Sequence, residues 1–367
     1  MVQEAPRKFG KCRLVKRLGT GATAIVFLAT HEVLEVPVAV KVLKRRLARE
    51  RPEYADRFLR EARMAARLDH PNVVRVSDCG VEHDYHYMVQ DYVDGPDIEE
   101  MLDEGPLEWK EALDIVQQSA EGLAYAAEHG VIHRDVKPSN IMIDSSGRAR
   151  ITDLGLAKLN VKGVAALTQE LHTVGTPNYM SPEQISSPND LDLRADIYSL
   201  GATFYHMVTG SPPFEAKNAM KVVANHLTKP LTPPCEVNYE VPEALSAIIC
   251  KMMAKSRKER YQDYEELMRD MSNLEQGREV GASGFIDSQQ VGLDEHELQE
   301  VLQELSFAEG LDLEDVEEPD EDDVLAKTPM GDLDDGEHSD AFIFRPEDMT
   351  SYQRPKQKSS TNMGYRR

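Results

Sequence analysis

Eight consecutive residues constrain this chain more than any other stretch. They are His133-Arg134-Asp135-Val136-Lys137-Pro138-Ser139-Asn140, and Asp153-Leu154-Gly155 begins thirteen residues after Asn140. A helical repeat precedes the octet and a short apolar run, IMID, follows it. An Asp on such a turn orients a hydroxyl and accepts its proton. A Lys two residues on places a cation where negative charge develops. Asn140 and Asp153 supply the hard oxygen atoms that Mg²⁺ prefers. Taken singly, each residue reads as a turn or cap residue; taken in this order, coincidence is a poor account.

The surrounding pattern frames these motifs. Residues 9–45 read as strands broken by Gly and Pro, and VVRVSDCG and YHYMVQDYV read as two more. Between them, from Pro52 to Leu68, Phe58, Leu59, Ala62, Ala65, Ala66 and Leu68 fall along one side of a helix. Residues 107–129 are helical by the spacing of Leu113, Val116, Ala120, Leu123 and Ala127. Further helices are expected at 194–209, 216–227, 242–254 and 262–274. A strand-rich part with one main helix, then a mainly helical part, is an α+β two-lobe arrangement and not regular βαβ alternation.

Two further features lie in the strand-rich part. LGTGATAIV, residues 18–26, brings Gly19 and Gly21 to a turn where backbone can approach a phosphate. By itself a Gly-rich hairpin explains it as well, and Ala24 stands where G-x-G-x-x-G has its third Gly. Lys41 lies in the apolar run VAVKV. It either pairs with a carboxylate, for which Glu61 is the candidate, or snorkels to the surface.

With these residues in hand, the chain resembles the protein kinase family from about Phe9 to about Gln276, and most closely the bacterial eukaryotic-type (Hanks-type) Ser/Thr kinases. The Gly-rich loop, VAVK, a helix Glu, HRDVKPSN, DLG and SPE stand in that family's order. The departures are Ala24 for Gly, Val136 for Leu, Leu154 for Phe and Ser181 for Ala. The resemblance implies a lobe of strands at about 9–90 and a helical lobe at about 94–276, binding ATP and Mg²⁺ (or Mn²⁺). It implies Asp135 as the base, Lys137 on the γ-phosphate, and Lys41 on the α/β-phosphates paired with Glu61. Asn140 and Asp153 would be the metal ligands. Leu18, Val26, Ala39 and Met142 would line the adenine pocket, under the loop Gly19, Thr20, Gly21, Ala22, Thr23 and Ala24. Asp91 and Val93 would supply hinge backbone, with Gln90 before them. Asp97 would reach the ribose, or else cap a helix. The Lys137-Pro138-Ser139 form and Thr176 imply Ser/Thr acceptors on protein substrates. Arg134 implies regulation by a phosphorylated activation segment, at Thr168 or, as second choice, Thr173. A non-catalytic member of the family, acting as a scaffold through its tail, is the alternative.

Charge separates the remainder of the chain. The formal net charge is −23 over 367 residues. Residues 277–367 hold 24 Asp/Glu and 8 Lys/Arg, so −16 belongs to them and −7 to residues 1–276. The acidity argues against nucleic acid and against anionic membrane as partners. No apolar run of membrane-spanning length and no signal-type leader is present, so a cytoplasmic protein without a membrane anchor is expected. Cys12, Cys79, Cys235 and Cys250 have no metal-type spacing and read as reduced thiols. Residues 277–367 read as a linker and an acidic tail, largely disordered over 309–340, with a candidate amphipathic helix at 293–306. The tail is either a segment that meets a protein partner or a solubilising extension.

Overall fold

The computed structural model describes residues 8–154 and 177–285. Among them, six strands form one antiparallel sheet: β1 (Lys8–Phe9), β2 (Cys12–Thr20), β3 (Ala24–His31), β4 (Val36–Leu43), β5 (Val76–Glu82) and β6 (Tyr85–Asp91), in the spatial order β1-β2-β3-β4-β6-β5. Alternating burial along β3 gives the sheet an apolar face, while β4 is buried on both sides in its middle. On it Phe9, Ile25, Phe27, Val38, Val40, Tyr87 and Val89 pack together.

Two helices follow β4: α1 (Arg45–Glu50) and α2 (Pro52–Ala65). Pro52 suits the first turn, where its missing N–H costs nothing. Tyr54, Ala55, Phe58, Ala62 and Ala65 form the buried side of α2, spaced at three and four. Phe58 and Ala62 join a second cluster with Val76 and Met88 of the sheet and with Leu154. The sequence pattern anticipated α2 but not α1, which buries no residue.

The second lobe is helical. It comprises α3 (Ile98–Leu102), α4 (Trp109–Glu128), α5 (Pro182–Ser186), α6 (Leu193–Thr209), α7 (Ala219–Thr228), α8 (Pro234–Val237), α9 (Glu243–Met252) and α10 (Tyr264–Glu275). A hairpin of β7 (Ile141–Ile143) and β8 (Ala149–Ile151) lies against α4. The core joins Leu113, Val116 and Leu123 of α4 to Ile197, Leu200 and Phe204 of α6 and to Ile248 of α9. Helix α6 is buried almost all round and ends on Gly210, whose φ of 75° is the left-handed conformation that a helix stop favours. No described helix is long and apolar enough to cross a membrane.

The packed body runs past the boundary expected at Gln276. Val280 and Ala282 are buried in the second-lobe core. The carboxylate of Asp270 accepts hydrogen bonds from the N–H groups of Gly281 (2.7 Å) and Ala282 (3.0 Å) and from the Tyr261 hydroxyl (2.9 Å). The segment read as a linker is thus held by a buried carboxylate for its first residues. The expected helix at 293–306 and the acidic run at 309–340 lie outside the described residues.

Candidate active site

The octet 133–140 is a turn held from beneath by α6. Asp196, buried at the start of that helix, accepts from the backbone N–H of His133 and of Arg134, each at 2.7 Å. Burial raises the Asp196 pKa; the positive charge nearby and these two hydrogen bonds oppose the rise. His133 is fully buried, and its Nδ1 accepts from the Asp135 N–H at 3.2 Å. Its Nε2 therefore carries the proton and donates to the Thr152 carbonyl at 2.9 Å. With both ring nitrogens committed, His133 is a strut between the turn and β8, not a proton carrier. Arg134 has φ 65° and Asp153 φ 57°. Left-handed backbone at such residues costs about 1–3 kcal/mol each and persists where surrounding contacts fix it. Here Gln184 donates to the Arg134 carbonyl at 2.8 Å.

Asp135, Lys137 and Asn140 converge. Lys137 Nζ lies 3.3 Å from Asp135 Oδ2. Asn140 Nδ2 donates to the Asp135 carbonyl at 2.7 Å and to Asp135 Oδ2 at 3.1 Å. The Asn140 amide nitrogen is thereby committed, which leaves its oxygen as the atom to offer a cation. Asp153 adds a carboxylate. These are hard oxygen donors of the kind Mg²⁺ takes, and too few to hold it without phosphate oxygens. Among the described residues no cluster of three or more His, Cys, Asp or Glu is arranged to hold a metal by itself.

Lys41 on β4 corrects one expectation. Its Nζ pairs with Asp153 Oδ1 at 2.7 Å, and Glu61, expected as its partner, is not within ion-pair distance of it. Burial works against the Lys41 charge, but Asp153 and Glu61 outweigh it and hold its pKa above the ordinary value. Burial likewise works against the charge on Asp153, and Lys41 overcomes it and lowers that pKa. Glu61 is driven up to about 8, by burial first, with Lys41 opposing.

The residues expected to meet a nucleotide lie on β2, the turn after it, β3, β4, β6 and β7. Gly19 and Thr20 end β2, Gly21, Ala22 and Thr23 make the turn, and Ala24 and Val26 belong to β3. The turn closes with Gly21 N–H on the Ala24 carbonyl at 2.9 Å. A Cβ built on Gly19 would meet no protein atom within 4 Å, so packing does not demand glycine there. Ala39 on β4 is buried and Met142 on β7 half-buried, while Leu18 is 42% exposed. Gln90 and Asp91 end β6, and Val93 follows, buried. At Gly95 the chain passes so close to β7 that a Cβ would sit 2.0 Å from the Ile143 carbonyl oxygen. Asp97 caps α3: it accepts from Glu100 N–H at 2.9 Å, and Glu100 accepts from Asp97 N–H at 3.2 Å. A contact missed from sequence is Arg150 on β8, whose Nη2 reaches Asp91 Oδ2 at 3.2 Å. Nothing in the local sequence pattern signals it. Thr168, Thr173 and Thr176 lie outside the described residues.

The description "Protein kinase domain" matches residues 12–271, more than half of the chain. The chain belongs to the protein kinase family. It is 36% identical over 266 residues to the serine/threonine-protein kinase PknB of Mycolicibacterium smegmatis, covering 71% of this chain and 42% of that protein. It is 35% identical over 263 residues to the serine/threonine-protein kinase PrkC of Bacillus subtilis, covering 71% and 40%. A probable serine/threonine-protein kinase of Clostridium acetobutylicum is 35% identical over 263 residues, covering 71% and 39%. The chain thus spans about two fifths of the length of these curated relatives. Among solved structures, the Mycobacterium tuberculosis PknI kinase domain is similar at a TM-score of 0.58 and 28% identity, covering 72% of this chain and 96% of that one. The kinase fold, with its strand-rich and helical lobes, accounts for the described residues.

Proposed function

We propose that this chain is an ATP-dependent protein Ser/Thr kinase. The observation that carries the reading is the convergence of Lys137 and Asn140 on the Asp135 carboxylate, at 3.3 and 3.1 Å. Asp135 aligns the acceptor hydroxyl and takes its proton as the oxygen bonds to the γ-phosphorus. The bond from that phosphorus to the β,γ-bridging oxygen breaks, and ADP carries the electron pair away. Lys137 neutralises charge developing on the transferred group, and Lys41 exchanges Asp153 for the α/β-phosphates. Asn140 and Asp153 hold the divalent cation, Mg²⁺ or Mn²⁺, which neutralises phosphate charge when bound. Gly19 and Gly21 admit the phosphates, and Leu18, Val26, Ala39 and Met142 enclose the base. Backbone at Asp91 and Val93 reads the base edge, and Asp97 meets the ribose from its cap.

Arg134 supports the regulatory part of the reading. Its Nε is buried and without a hydrogen-bond partner among the described residues. A phosphate on Thr168, or on Thr173 as second choice, supplies the anion it lacks. The substrates are proteins with Ser/Thr acceptors, met in the cytoplasm. The test is incubation of wild type and Asp135→Asn with ATP and Mg²⁺, followed by mapping of phosphorylated sites. A loss of about 10²–10⁴-fold is expected in the variant. Equal incorporation by both proteins overturns the reading, and active enzyme unmodified at Thr168 and Thr173 overturns the regulatory part.

A further inference from the structure

Charge is divided unevenly between the lobes. Residues 1–93 carry 17 Lys/Arg and 12 Asp/Glu, a net of +5, whereas 94–276 carry 17 and 29, a net of −12. The excess is concentrated in residues 44–67, with nine Lys/Arg and four Asp/Glu. One of those four, Glu61, is buried on the inner side of α2. Another, Glu50, lies 3.7 Å from Arg46. Arg60, Arg63 and Arg67 recur at three and four residues and are all exposed. That spacing lines them along the outer side of the last turns of α2 and the residues just beyond. Exposed Arg46 and Arg49 of α1 add to the same field.

The chain itself contains the complement. Residues 309–323 hold ten Asp/Glu and no Lys/Arg. Such a run is repelled by the acidic helical lobe and drawn to the basic one. Twenty-three residues separate Phe285, where the described body ends, from Glu309. Extended, a connection of that size spans about 75–80 Å; with the candidate helix at 293–306 formed it still spans about 50 Å. A body of this size has a radius of gyration of about 19 Å, so every face lies within reach.

We propose that residues 309–323 dock in cis on the outer face of α2 formed by Arg60, Arg63 and Arg67. The occupied face is the reverse side of the helix whose inner side carries Glu61. The docked segment therefore bears on the element that sets how closely Glu61 approaches Lys41.

The test uses the full chain and backbone hydrogen exchange over residues 52–65. Wild type is compared with a variant whose ten acidic residues at 309–323 are changed to Asn or Gln. Docking gives at least roughly threefold slower exchange in wild type at about 50 mM salt, and the difference vanishes near 0.5 M. In a second pair, Arg60→Glu, Arg63→Glu and Arg67→Glu are combined with either the native tail or one whose ten carboxylates become Lys. The Lys tail is expected to restore slow exchange. Equal exchange in wild type and the neutral-tail variant at low salt overturns the proposal. So does protection that fades on dilution, which assigns the face to the tail of a second copy, and so does protection confined to other elements.

Discussion

Glu183 and Arg260 meet in a buried two-pronged ion pair, Nη1 to Oε1 at 2.6 Å and Nη2 to Oε2 at 2.8 Å. The remaining Arg260 donors go to the carbonyls of Ala254, Arg194 and Lys255. All five guanidinium N–H groups are thus used, which no other side chain can reproduce. Arg260→Ala leaves Glu183 buried and uncompensated, and is expected to cost about 3–5 kcal/mol. Arg260→Lys is expected to recover only part of it. Urea denaturation of the three proteins checks both statements; a loss under 1 kcal/mol for the Ala variant would contradict the first.

Lys255 gives the body a pH dependence. It is buried over the Phe214 ring, with its Nζ 3.3 Å from the Asn225 carbonyl. Burial, and then the charge of Arg260, pull its pKa from 10.5 down to about 7. Between these two values the unfolded chain binds more protons than the folded one, so stability rises with pH across that window. From pH 7 to 9 wild type should gain on Lys255→Met, by at most about 2–3 kcal/mol. Denaturation midpoints of both proteins at the two pH values measure it; a gap that stays constant rules it out.

Asp196 acts on chemistry without touching substrate. Asp196→Asn keeps one acceptor oxygen and turns an N–H₂ group toward the other backbone N–H. The turn at 133–135 then loses one of its two tethers, and Asp135 shifts. A fall in kcat of about 10–100-fold is expected, with KM for ATP little changed. Steady-state kinetics separate the two quantities. An effect on KM alone would show that Asp196 does not position the base.

Asp97 has a structural duty that can be separated from its proposed one. Asp97→Ala removes the cap of α3 and should cost about 1 kcal/mol, whereas Asp97→Asn keeps the cap and the stability. If the carboxylate also meets the ribose, the Ala variant shows in addition a several-fold higher KM for ATP. Thermal melts and ATP titrations of both variants distinguish the duties, and an unchanged KM in the Ala variant removes the ribose contact.

Much of this was legible from residue order. Leu113, Val116, Ala120 and Leu123 announced α4, because its buried residues keep the helical period along its length. Asp97 was open between a ribose contact and a helix cap, and the structure shows it capping α3, with Glu100 completing the pair. The octet at 133–140 stood out in the sequence, and the structure brings Asp135, Lys137 and Asn140 of it together. Other features follow from balances that no local pattern carries. Lys41 meets Asp153 at 2.7 Å, a contact between residues more than a hundred positions apart that no local period marks. Helix α1 buries nothing, so no apolar period marked it. Val280 and Ala282 flank Gly281 in a run of mostly small residues, and only the distant carboxylate of Asp270 reveals why they stay on the body.

That grip of Asp270 on Gly281 and Ala282 has a consequence for competition. Everything beyond Phe285 departs from one fixed root on the helical lobe, so the tail's local concentration is set by its tether and not by the amount of protein in solution. For a tether of this length that concentration is of order millimolar. A separate acidic molecule that displaces the tail from the arginines of α2 must either reach that level or bind them more tightly. Loosening Asp270 frees the root and lowers that threshold without altering a single charge in the tail.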